Sequence, residues 1–185
     1  YGPHGGGHGH PDKLGIVLYG KGQLLAPDPG SVAFGVPVHQ NWYKQTVSHN
    51  TVVVDGESQR PSTGTLDFLA RGPDFDLVSV SAPYAYEGVK LNRTLVLMHD
   101  LVILQDRVSG EAQHNFDWVY HNRGTLRTSF RRKRVSAVPE RGSGYDQIQK
   151  PACGTPEANW TATWRTGDAG LRLTMLSAAR GETEI

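Results

Sequence analysis

Asp76-Leu77-Val78-Ser79-Val80-Ser81 alternates polar and apolar side chains with period two. A strand sends successive side chains to opposite faces, so this hexapeptide reads as a half-buried β-strand. The same reading extends outward. Residues 93–98 and 101–108 form two strand-like runs about His99-Asp100, and residues 14–20 and 23–26 form another pair about Lys21-Gly22. Thr51-Val52-Val53-Val54 ends at Asp55-Gly56, a strong turn dipeptide. Residues 115–121, 126–130, 160–165 and 171–177 are further short runs bounded by Gly, Pro and Asp, while residues 138–157 are wetter and read as a long loop. No segment sustains an apolar period of 3.6. The expectation is an all-β, antiparallel β-sandwich forming a single domain over residues 1–185.

The chain's length of 185 residues suits one domain. Its 22 glycines and 11 prolines favour a fold with many turns. A net charge of +1 gives no general electrostatic match to nucleic acid. One local basic run, Arg131-Arg132-Lys133-Arg134, reads either as a solvated loop or as a contact for an acidic polymer. Cys153 is the only cysteine, so no internal disulfide can form. No apolar run approaches the roughly 18 residues of a membrane span. The sequence begins at Tyr1, a few residues before its densest motif and without a signal-like apolar region, and so reads as a piece of something longer.

That motif is Tyr1-Gly2-Pro3-His4-Gly5-Gly6-Gly7-His8-Gly9-His10-Pro11-Asp12. In extended backbone His8 and His10 project to one face, and the glycines let the backbone come close to a ligand. Imidazole is a common metal ligand and suits zinc, which takes three or four donors, so partners must come from elsewhere. Asp28, held between Pro27 and Pro29, and His49, just before the 51–54 run, are candidates. An expression tag, a non-binding histidine loop, and capping roles for Asp28 and His49 are the plainer alternatives.

The run from Gly2 to Leu14 resembles the heparinase II/III-like polysaccharide lyases, in particular their oligoalginate lyase branch. The resemblance continues through Leu25-Ala26-Pro27-Asp28-Pro29-Gly30, Trp42-Tyr43 and Ser48-His49-Asn50-Thr51-Val52-Val53-Val54-Asp55-Gly56. It is weaker in Leu91-Asn92-Arg93-Thr94-Leu95 and Leu104-Gln105-Asp106-Arg107-Val108. It implies a supersandwich-type β domain that follows an α/α toroid, the toroid being a separate domain or chain. It implies β-elimination at a uronic acid in alginate or a glycosaminoglycan, in a periplasmic or secreted setting. It implies a structural zinc ion on His10, Asp28 and His49, with His8 facing substrate and Tyr43 as the catalytic residue supplied by this domain. His121, in Asp117-Trp118-Val119-Tyr120-His121, is expected at a strand end lining the cleft, either touching substrate or completing hydrogen bonds. An arginine that some relatives carry after the Asp-Pro-Gly block is replaced here by Ser31-Val32-Ala33-Phe34.

Two other functions fit the residues. One is a zinc-containing carbohydrate-binding or structural module without chemistry. The other is a metal-dependent hydrolase or oxygenase, in which two histidines and a carboxylate form a facial triad.

Overall fold

The computed structural model describes residues 1–138, 142–156 and 158–176. Among them the chain is built from short antiparallel strands, and its helical pieces are turns of three to five residues. None is long and apolar enough to cross a membrane.

The largest sheet is a four-stranded meander of β4 (Thr65–Arg71), β5 (Asp76–Tyr86), β6 (Val89–Met98) and β7 (Leu101–Gly110). The alternation at 76–81 sets its faces. Val78, Val80 and Ala82 pair with Leu95, Arg93 and Leu91 on one face, and Asp106 and Val108 continue that face onto β7. The connections β5–β6 and β6–β7 are both two-residue turns, the second of them at the expected His99-Asp100. β4 escapes a sequence reading for a physical reason. A bulge between Leu66 and Phe68 breaks its period, and most of its side chains are exposed.

A second layer is the ribbon of β3 (Val52–Val54) and β8 (Phe116–Trp118), with Val52 opposite Trp118 and Val54 opposite Phe116. Its Val52 and Val54 face pack with Leu14, Val80, Ala82, Tyr86 and Leu91 into the main core, against which Trp118 rests. The other face places Val53 with Val47 and Tyr145 in a smaller cluster. β3 is therefore buried on both faces, which explains why 52–54 is a continuous valine run without alternation. A three-stranded sheet, β13 (Ala169–Met175), β12 (Trp160–Thr166) and β9 (Thr125–Thr128), completes the stack, with a small hairpin of β1 (Leu18–Gly20) and β2 (Gln23–Ala26) beside it. The antiparallel all-β sandwich is the architecture expected from the sequence.

Several boundaries differ from expectation. The run 14–20 is a strand only over Leu18–Gly20, because Leu14 adopts φ 64° and the Gly15 N–H turns back onto Asp12. The run 115–121 is a strand only over Phe116–Trp118, and β13 begins two residues early. Its expected last residue, Ser177, lies outside the described residues. The loop at 138–157 contains a turn of helix at Tyr145–Gln147, and the Cys153 segment is not a plain loop. It forms β11 (Ala152–Cys153), which pairs with β10 (Lys133–Arg134).

Candidate functional site

The glycine-rich opening has few side chains with which to dock, so it is held through its backbone. Lys44 donates its ammonium protons to the carbonyls of Gly7 and Gly9. Thr46 donates to Pro11 O at 2.7 Å, and Thr51 to Lys13 O at 2.7 Å. Gln59 closes the segment from the other side, accepting from Lys13 N and donating to Lys13 O. Gly9 is required where it stands, since a Cβ there would lie 1.6 Å from His4 O. The result lays residues 7–13 along the segment 44–51, which carries His49.

Asp28, His49 and His10 meet there. His49 is completely buried, and its Nδ1 lies 2.7 Å from Asp28 Oδ2, while the Asp28 side chain keeps 38% of its exposure. The His10 ring stands edge-on to His49 with centroids 5.3 Å apart. Gly30 N–H donates to Asp28 Oδ1 at 2.9 Å and fixes the carboxylate's second oxygen. Burial alone would raise the Asp28 carboxyl. The hydrogen bonds from His49 and Gly30 outweigh it and hold the group below the ordinary aspartate range. His10 is pushed down, first by burial and then by the neighbouring His49 and Lys44, so its neutral form is favoured.

The chemistry of this set can be tested against a metal. His49 Nδ1 lies 2.7 Å from Asp28 Oδ2 and its Nε2 3.3 Å from the Tyr43 carbonyl oxygen, so both ring nitrogens face acceptors and a neutral ring can donate to only one of them. The shorter contact, to the carboxylate, is the one that needs a proton or a metal ion between its two lone pairs. A backbone carbonyl fixing the far nitrogen is the usual support of a ligating histidine. The donor types, two imidazoles and one carboxylate, also suit zinc. As the side chains stand, however, Asp28 and His49 are closed onto each other, and among the described residues no group of three His, Cys, Asp or Glu side chains is arranged to hold a metal. A metal would have to take the place of the shared proton.

The other expected residues surround this cluster. Tyr43 ends a wide helical turn, His39–Tyr43, and is half-buried. His8 is exposed, and its ring meets Phe34 edge-on at 5.3 Å. Phe34 lies in turn 4.6 Å from the buried His39, so the stretch 31–34 supplies an aromatic bridge. His121 is placed at the cluster's back. Its Nε2 donates to Val47 O at 2.9 Å, its ring meets Trp42 at 5.8 Å, and burial lowers its pKa.

Three supports stand in blocks that the sequence singles out, but nothing in the sequence shows what they hold. Asn50 donates to Ile16 O and Pro27 O and accepts from His121 N–H at 2.6 Å, joining three segments next to His49. Arg93, 1% exposed, makes a two-pronged ion pair with Asp106, both contacts 2.7 Å. Its remaining donor reaches Leu14 O at 2.6 Å and Asn50 O at 2.7 Å. It thus ties the histidine-bearing segments to the large sheet. Arg93 and Asp106 each lie in a recognisable block, but only their direct pairing across β6 and β7 shows why.

Known proteins resemble the chain over this whole region. An exo-oligoalginate lyase of Saccharophagus degradans is 29% identical over 89% of this chain and 26% of its own length. An alginate lyase of Stenotrophomonas maltophilia is 31% identical over 68% of this chain and 20% of its own. A heparin-sulfate lyase of Pedobacter heparinus is 26% identical over 61% of this chain and 18% of its own. The chain therefore spans about a quarter or less of each of these relatives. Among solved structures, a heparinase III superposes with a TM-score of 0.63 at 21% identity, covering 94% of this chain and 27% of that one. A heparan sulfate lyase from Pedobacter heparinus gives 0.61 at 17% identity, covering 94% and 38%. These structures share its fold. The model of the heparinase II/III-like C-terminal domain matches residues 1–183, and the chain belongs to that family of polysaccharide lyases.

Proposed function

We propose that this chain is the β-sheet domain of a lyase that cleaves uronic-acid-containing glycans by β-elimination, with alginate or a glycosaminoglycan as substrate. The observation that carries this reading is the convergence of His10, Asp28 and His49, in a chain whose relatives include alginate and heparin-sulfate lyases.

In the reaction a base removes the C5 proton of a uronate, the C4–O4 bond breaks, a C4=C5 double bond forms, and O4 leaves with a proton. The C5 proton is weakly acidic while the adjacent carboxylate is charged, so donors that neutralise the carboxylate lower the barrier. His8, exposed on the glycine-rich turn, contributes to substrate binding. Tyr43 supplies a phenol for proton transfer. His121, with one ring nitrogen already on Val47 O, supports the cleft from behind. The remaining catalytic groups belong to an α/α toroid domain or chain, so this domain by itself is weakly active or inactive. With a metal in place of the proton that Asp28 and His49 share, His10, Asp28 and His49 would hold a zinc ion whose contribution is structural, fixing the loops that carry His8 and Tyr43. The glycan places the protein in a periplasmic or secreted setting.

The test is the ultraviolet absorbance of unsaturated product from the complete lyase on alginate, heparan sulfate and hyaluronan. Wild type should generate it on one of them, and Tyr43→Phe should lower kcat by at least about a hundredfold, the scale of a lost acid–base group. No product on any uronate polymer would remove the lyase reading. Product formation indifferent to Tyr43→Phe would remove that residue from the chemistry.

A further inference from the structure

The charges of the basic run Arg131-Arg132-Lys133-Arg134 have no part in the site above, although the backbone of Lys133 and Arg134 forms β10. All four side chains are exposed, and among the described residues none of them makes an ion pair. The run follows β9 and ends in β10, and its Arg132 is one wall of a cavity of about 750 Å³ between β8 and the three-stranded sheet. That volume lies within the roughly 300–1,000 Å³ typical of ligand pockets.

Aromatic rings dominate the other walls, with Leu126, Leu173 and Met175 beside them and one carboxylate, Asp117, whose Oδ2 accepts from the Tyr145 hydroxyl. Trp118 stacks on Tyr120 with ring planes 8° apart and centroids at 5.5 Å. Tyr120 meets Trp164 at 5.4 Å, and Phe130 meets Trp160 at 5.4 Å. Strand register puts them together, because Trp160 and Trp164 alternate to the same face of β12 as its cavity-lining Ala162. Three of the chain's four tryptophans therefore line one space, and His8, His10, Asp28, Tyr43, His49 and His121 are not among its walls.

A ligand for this cleft must offer flat apolar faces to the rings and an anion to Arg132. A pyranose presents its axial C–H bonds to an aromatic face. A uronate adds a carboxylate, which a guanidinium receives through two parallel hydrogen bonds. A neutral sugar would leave Arg132, the one cation among the described residues of the walls, unmatched. We propose that this cleft is an accessory binding site for uronate oligosaccharides, with the tryptophan and tyrosine rings taking sugar faces and Arg132 taking a carboxylate. It rests on the reading that the substrate is an acidic glycan. It serves to hold a second stretch of the polymer away from the catalytic cleft.

The experiment uses the full chain with Trp42→Phe, so that only the three cleft tryptophans report by fluorescence. Titration with an alginate or a heparan sulfate hexasaccharide should give a saturable change with at least one of them, and cellohexaose should give none. Adding Arg132→Glu should weaken the apparent affinity at least tenfold with an unchanged circular dichroism spectrum, and Trp164→Phe should weaken it severalfold. Adding His8→Ala should leave the isotherm in place. No saturable change with either acidic hexasaccharide would overturn the proposal, as would equal binding of cellohexaose, an isotherm indifferent to Arg132→Glu, or one abolished by His8→Ala. Those outcomes leave the lyase assay untouched. Conversely, a lyase assay without product, beside a cleft that still binds, overturns the catalytic reading alone.

Discussion

His49 has both ring nitrogens committed, one to the Tyr43 carbonyl and one to Asp28, and that commitment sets what the residue can do. If a metal takes the proton's place, zinc content should depend on the oxygen and nitrogen donors together. Metal analysis of the purified chain should give about one zinc per chain, falling by at least tenfold in His10→Ala and in Asp28→Asn. Unchanged zinc in either variant removes that residue from the ligand set. His121 makes a different prediction. Burial lowers its folded pKa below the ordinary value of 6.5, so the fold holds the ring neutral. Above 6.5 neither folded nor unfolded chain carries that proton and the stabilisation is complete. As pH falls below it, the unfolded chain takes up a proton the folded one refuses, and stability declines. One such proton contributes a slope of at most about 1.4 kcal/mol per pH unit. Urea denaturation between pH 7 and pH 5 should show the decline, and His121→Gln, which retains a donor for Val47 O, should flatten it. Parallel slopes would assign the decline to other groups. At this scale the sequence was legible for chemistry-bearing types in a dense pattern, His8-Gly9-His10 above all. It was silent on Asn50 and Lys44, whose work is done on distant backbone carbonyls that carry no sequence signature.

The strands divide in the same way. β5, β6 and β7 could be read because each buries one face of an open sheet, and their turns are two residues long. β4 could not, because its bulge and its exposure erase the alternation. The small pair β10–β11 joins segments about 20 residues apart, so no local pattern announces it. The β1–β2 hairpin is a case where sequence and geometry disagree. Lys21 and Gly22 both have positive φ, 51° and 74°, the combination that favours Asn-Gly over Lys-Gly. Lys21 also makes an ion pair with Asp100 at 2.8 Å, but both side chains are largely exposed and such pairs contribute little. Lys21→Asn should therefore leave stability unchanged or raise it by up to about 1 kcal/mol. Thermal unfolding checks this, and a clear loss would show that the ion pair outweighs the turn.

Across the whole molecule, the largest single commitment of buried charge is Arg93 with Asp106. Leaving either partner alone in the interior costs about 3–5 kcal/mol, whereas replacing both with apolar groups costs far less. Arg93→Met and Asp106→Leu should each destabilise the chain on that scale, and the double variant should recover part of the loss. Because Arg93 also holds Leu14 O and Asn50 O, the double variant should regain stability without regaining zinc affinity. Full recovery of both would reduce the pair to packing alone. Fold class and family were legible because a sandwich of short strands and an ordered set of local blocks are both written along the chain. The cleft between β8 and the three-stranded sheet was not, since Trp118, Trp164 and Arg132 come from separate stretches and meet only after the sheets stack.

The Arg93 contacts also bear on the order in which the molecule comes into being. Its hydrogen bonds reach back 79 residues to Leu14 and 43 to Asn50. Closing loops of that length is slow compared with forming a hairpin. During synthesis the histidines and Asp28 leave the ribosome well before the β6–β7 hairpin that anchors them. If these residues take a metal, a nascent chain displays loose imidazoles to any available cation, and a tight, selective site can mature only once the β6–β7 hairpin has been made.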